Sequence, residues 1–191
     1  MMDIPVAISN LNLCRAFKGH NPDIMDCVLP IADKEFFVED SREVGCTIYT
    51  CKKIDDKSCK VSNSTDEAVI LLPIDGKFII NHKGGMADSA LFNTKDFHFV
   101  EFKSNAEGNT DNAVKGTYSK AMDQLNETLN IFESKINAID IDFRKKVNVP
   151  CHIIVSETFP RNSAAEQTNA IAFAKRTKGI PLECDNEIDF L

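Results

Sequence analysis

The chain has 191 residues, 43% of them hydrophobic, with 8 glycines, 7 prolines and a formal charge of -7 from 22 basic and 29 acidic side chains. That balance excludes disordered, collagen-like and fibrous-repeat classes, and the length suffices to bury a core without disulfides or a structural metal. The acidity argues against a general nucleic-acid coat, whose affinity comes largely from Lys and Arg, but it leaves room for one local cleft.

The first 67 residues carry the weakest periodicity. Ala32 to Val44 reads as a helix, Gly45 to Lys53 as a strand, and Asn63-Ser64-Thr65-Asp66 as a loop. No run of about 18 apolar residues occurs, and Asp3, Pro5 and Asn10 interrupt any leader, which points to a cytoplasmic protein with no membrane partner. The seven cysteines are then free thiols by default. Cys46, Cys51 and Cys59 lie close in sequence but lack the CxxC pair that zinc knuckles favour.

The pattern sharpens from Ala68. Ala68 to Ile74 is an apolar strand, Asp75-Gly76 a two-residue hairpin turn, and Lys77 to Asn81 its return strand. Gly84-Gly85 breaks the run, Met86 to Phe92 resumes it, Asn93 to Asp96 turns, and Phe97 to Phe102 is a strongly apolar strand, so 68–103 forms an antiparallel meander. Apolar residues at steps of three and four from Val114 to Ile139 mark a helix with Asp111 or Asn112 as its cap. Val147 to Ser156 suits a strand covered on both faces; Ser163 caps a second helix over Ala164 to Lys178 that Gly179 stops; Ile180 to Cys184 is a last short strand. No linker or repeat divides the chain, so residues 1–191 read as one domain in which 1–67 elaborate a core over 68–185.

Within the meander, Glu101 and Lys103 stand two residues apart and leave the same face of an otherwise apolar strand. A carboxylate in such a setting costs several kcal/mol unless it is paired or metal-bound. A register centred on the turn at 93–96 sets Asp88 opposite Glu101, and two opposed carboxylates repel unless a cation lies between them. Oxygen ligands on short strands suit Mg²⁺ or Mn²⁺. His98 faces the other way and is expected against a helix. Tyr118 falls on the apolar helix stripe and reads as core.

Asp88, a gap of twelve residues, then Glu101-Phe102-Lys103 at the end of an apolar strand resembles the PD-(D/E)XK nuclease superfamily. Lys120-Ala121-Met122-Asp123-Gln124 is similar to the helix that many of these nucleases carry after that strand, and Ile153 to Arg161 is similar to the strand that follows. Ala87 departs from the signature, which has Pro there. The resemblance covers about residues 68–185. It implies an α/β fold with a restriction-endonuclease-like core, in which a mixed central sheet, an antiparallel meander plus further strands, is flanked by helices on both faces. It also implies a Mg²⁺- or Mn²⁺-dependent nuclease. Asp88, Glu101 and the backbone carbonyl of Phe102 would hold the ion, Lys103 would stabilise or generate the nucleophile, and Gln124 would position water or phosphate. An additional acid occurs in some relatives, and Glu39, Glu43 or Glu67 could supply it.

Lys120 shares a helix face with Gln124, so the two could reach the same site, and Lys120 is read as a nucleic-acid contact. Residues 142–178 hold 7 basic against 3 acidic side chains, which makes Arg161, Arg144, Lys145, Lys146, Lys175 and Arg176 the candidates for backbone phosphates. The expected partner is nucleic acid, DNA first, bound weakly and with strong salt dependence; cutting both strands would call for a homodimer, although no segment marks an interface. The alternative is a catalytically silent nuclease-fold module that binds or regulates in a defence or mobile-element system.

Overall fold

The computed structural model describes residues 4–80, 82–103, 110–160 and 163–191. The chain opens with three short helices, α1 (Val6–Asn10), α2 (Leu13–Ala16) and α3 (Ile24–Cys27), the last capped by Asp23, whose carboxylate accepts from the Met25 N–H at 2.9 Å. Five strands follow: β1 (Leu29–Ile31), β2 (Glu35–Ser41), β3 (Cys46–Thr50), β4 (Cys59–Asn63) and β5 (Val69–Pro73). Next come β6 (Ser89–Phe92), β7 (Phe97–Lys103), α4 (Asp111–Asn137), α5 (Phe143–Lys146), β8 (Cys151–Val155), α6 (Ser163–Arg176), β9 (Leu182–Glu183) and β10 (Glu187–Phe190).

Two sheets result. The larger has the order β1-β5-β6-β7-β8-β9, antiparallel from β1 to β7 and parallel from β7 through β9. The smaller has the order β10-β4-β2-β3, with β10 parallel to β4. The hairpin register centred on residues 93–96 is as the sequence implies: Ser89 faces Val100 and Phe92 faces Phe97. β7 up to Phe102 and the whole of β8 are buried, which fits their largely apolar sequences in the middle of a sheet.

The fold class is mixed α/β, but the two faces of the large sheet are covered differently from the expectation of helices on both. One face packs on α4, where Tyr118, Ala121, Leu125, Leu129, Phe132 and Ile136 form the buried stripe against Phe97, Phe99 and Ile153. The other face, through Val69, Leu71, Leu91, Val100, Phe102 and Ile154, packs on Phe36, Val38, Val61, Ile188 and Phe190 of the small sheet. Sheet covers sheet on that side because β2 and β4 alternate buried and open residues with a period of two.

That same period corrects the helix expected over Ala32 to Val44, which is β2. The hairpin at Asp75-Gly76 is also corrected: Lys77 and Phe78 belong to a turn closed by the Phe78 N–H on the Pro73 carbonyl and the Ile79 N–H on the Ile74 carbonyl, and Asn81 lies outside the described residues. Phe78 is buried beneath that turn among Phe17 and Phe132, so core packing overrides the pairing of a return strand. The strand expected from Met86 starts only at Ser89. The cap of α4 is Thr110, whose hydroxyl accepts from the Ala113 N–H at 3.2 Å, in place of Asp111 or Asn112. α6 ends at Arg176, and Lys178 and Gly179 both take positive φ after it. His98 packs on β10, not on a helix: its ring lies 4.7 Å from that of Phe190.

Candidate active site

Glu101 lies in the most buried part of β7, 1% exposed, on the face toward α4. Burial forces it to find a partner, and two residues on, the Lys103 ammonium pairs with its Oε1. Lys103 Nζ also donates to Gln124 Oε1 at 2.6 Å, while Gln124 Nε2 donates to the Met86 carbonyl at 3.0 Å. Gln124 is itself buried, and it reaches this position because Gly85 leaves room. A Cβ on Gly85 would stand 2.9 Å from Gln124 Nε2, and its φ of +81° favours glycine. Glu101 Oε2 has no hydrogen-bond partner among the described residues.

Asp88 sits one residue before β6, half-buried, and its Oδ2 accepts from the Phe102 N–H at 2.5 Å. The Phe102 side chain packs between the two sheets, so only its backbone belongs to the site. The neighbouring Ala87 occupies a position whose backbone N–H is used. Its N–H donates to the hydroxyl of Thr128 on α4 at 2.7 Å, and Thr128 in turn bonds the Gln124 carbonyl at 2.9 Å. Proline has no N–H to give.

Two further carboxylates frame Asp88, and neither was singled out from sequence. A shallow pocket is lined by Asp88, Asp75 and Gly76 from the turn after β5, and by Asp40, Ser41, Arg42 and Gly45 from the β2–β3 hairpin. Gly76 makes this apposition possible, since a Cβ there would fall 2.2 Å from the Gly45 carbonyl oxygen, and Gly76 has φ of +75°. The electrostatics follow from crowding of like charges in a partly desolvated place. Asp88 is raised well above its ordinary value, first by desolvation and then by the charge of Glu101. Glu101 is raised to about 7 by desolvation, against the pull of Lys103 and with help from Asp75 and Asp40. Asp40 is raised by burial and by Asp75, with Arg42 and Lys103 opposing.

The remaining candidates lie elsewhere. Lys120 is exposed one turn before Gln124 and makes no ion pair among the described residues. Arg161 lies outside the described residues. Arg144 forks onto Glu133 at 2.7 and 2.8 Å and caps the Thr177 carbonyl; Lys145 pairs with Asp142 and Arg176 with Asp123. α5 adjoins the start of β7, where the Phe97 N–H meets the Asn148 carbonyl, whereas Lys103 ends that strand. Six steps of about 3.3 Å put roughly 20 Å between the two ends.

Glu39 accepts from Ser58, Glu67 accepts from Thr94, and Glu43 is exposed in the turn after β2; none of the three lines the pocket at Asp88. Cys59 and Cys46 pair with opposite edges of β2, at Val38 and Ser41, and do not converge. Tyr118 is buried on the α4 stripe, with its hydroxyl 3.2 Å from Glu166.

Asp40 was hidden by reading β2 as a helix, and Asp75 by reading Asp-Gly as a bare turn. Alternation of Phe36 and Val38 was the available signal for the first. Asp88, Asp75 and Asp40 line one pocket, and Glu101 lies near enough to raise Asp88 by its charge, beside the half-buried Lys103 ammonium. No protein-family model, curated protein or solved structure matches the chain.

Proposed function

We propose that the chain is a divalent-metal-dependent phosphodiesterase acting on nucleic acid, of the PD-(D/E)XK type. The observation that carries this is the convergence of Asp88, Glu101, Lys103 and Gln124 at the end of β7, with one buried Glu101 oxygen left without a partner. The meander β5–β6–β7 followed by α4 and β8 keeps the element order of a restriction-endonuclease-like core. Asp88 and Glu101 would hold Mg²⁺ or Mn²⁺, with Asp75 and Asp40 adding negative charge around it. Bound there, the ion polarises a phosphate and lowers the pKa of an attacking water.

This chain's own groups then divide the work. Lys103 holds a positive charge and a donor next to the carboxylates, where it orients the nucleophile and offsets anionic charge. Gln124 fixes the Lys103 ammonium in place through its Oε1 and is itself fixed by the Met86 carbonyl. The Phe102 N–H holds Asp88 in register with Glu101.

Incubation of the protein with single- and double-stranded DNA and RNA in Mg²⁺ or Mn²⁺ tests this. Glu101→Gln is expected to lower the cleavage rate by about 10²-fold or more, as for loss of a group acting on developing charge. Unchanged cleavage in Glu101→Gln would refute the assignment. A second reading, a silent module that binds without cutting, is favoured by the pairing of Arg144 and Arg176 with Glu133 and Asp123, which takes those cations out of play. It predicts Mg²⁺ uptake with no cleavage of any of the four substrates.

A further inference from the structure

His152 lies on the face of the large sheet opposite Glu101, 1% exposed in β8. Its Nε2 is 2.8 Å from His98 Nδ1, and the two rings stack with centroids 5.0 Å apart. Its Nδ1 is buried, has no hydrogen-bond partner among the described residues, and points at Glu183 Oε2, 3.5 Å away. Asp185 completes the group: one nitrogen of His152 and one oxygen each of Glu183 and Asp185 all lie within 4.8 Å of one another. The three residues come from β8, β9 and the segment between β9 and β10.

We propose that His152, Glu183 and Asp185 form a second metal site, for a divalent transition ion of the Zn²⁺ class, that ties the edge of the large sheet to the segment leading into β10. Mixed nitrogen and oxygen donors select such an ion over Mg²⁺, which takes oxygen alone. The 3.5 Å separation is close to the edge of a tetrahedron with bonds of about 2.0–2.1 Å, which is roughly 3.3 Å.

His98 supplies the remaining requirement. A metal-bound imidazole gives its other N–H to a second group, and His98 Nδ1 stands ready to accept it from His152 Nε2. Glu183 and Asp185 are exposed, which leaves the fourth position to water.

The full chain, stripped with chelator and then titrated with Zn²⁺, tests this by calorimetry and elemental analysis. One equivalent is expected to be lost in the double variant Glu183→Gln/Asp185→Asn and kept in Glu101→Gln, which separates this site from the one at β7. The affinity loss should exceed the roughly 10–100-fold that removal of an outer partner costs. Because both substituted side chains are exposed, the fold is expected to survive. Histidine ¹⁵N spectra give a second readout: zinc on Nδ1 of His152 with the proton on Nε2. The proposal is overturned if the wild type takes up no zinc, if the double variant keeps the same equivalent, or if His152 Nδ1 carries the proton in the presence of Zn²⁺.

Discussion

Glu101 and Gln124 act as one unit through Lys103, since each accepts a hydrogen bond from the same ammonium. Their roles separate on substitution. Gln124→Ala removes a group that holds Lys103 but no carboxylate, so cleavage should fall by about tenfold to 10²-fold, the usual cost of losing a partner that positions an active group, while the Mg²⁺ concentration giving half-maximal rate stays within about twofold. Asp88→Asn should raise that Mg²⁺ concentration as well as lower the rate. Rate measured against Mg²⁺ concentration distinguishes the two variants. Glu101 and Lys103 were legible in the sequence because polar residues two apart in an apolar strand must share a face. Asp88 was legible through the tight turn that fixes register. Gln124 followed from its resemblance alone, and its dependence on Gly85 was not legible, because the approach of residues 39 positions apart is a tertiary fact.

At the scale of elements, the centre depends on how two turns meet. The turn after β5 and the β2–β3 hairpin touch where Gly76 faces the Gly45 carbonyl, and this contact brings Asp40 beside Asp75 and Asp88. Gly76→Ala adds a Cβ against fixed backbone at positive φ, a conformation that costs about 1–3 kcal/mol for other residues. Denaturant titration should show a loss of that size, and Mg²⁺ binding should weaken with it as the hairpin moves away. The long helix α4 and the central strands β7 and β8 were legible from period and apolar run length. The strands β2, β4 and β10 were not: each is short, and each buries only alternate residues against another sheet, so its signal is two or three side chains deep.

For the whole molecule, the centre sets a pH dependence. Glu101 has a folded value of about 7 against an ordinary value of 4.5, so the folded chain binds more protons than the unfolded chain between those limits. Its favourable contribution is full below about 4.5 and is lost as pH rises to about 7, a change on the order of 3 kcal/mol. In chelator, the stability of the wild type relative to Glu101→Gln should therefore fall across that window, as read from urea midpoints. Added Mg²⁺ should restore wild-type stability more at pH 8 than at pH 5.5, because the ligands must be ionised to bind. The two-sheet arrangement also governs the order in which the chain can fold. β4 pairs with β2 on one edge, but its other edge is covered only by β10, where Lys60 pairs with Glu187 and Asn63 with Phe190, far apart in the chain. During synthesis the apolar face formed by Leu71, Val100 and Phe102 lacks the cover of Ile188 and Phe190 until the last strand emerges. Nascent chains shortened before Glu187 should accordingly be the species that chaperones hold, and closure of this parallel pair, with its long loop, should be a slow step in refolding.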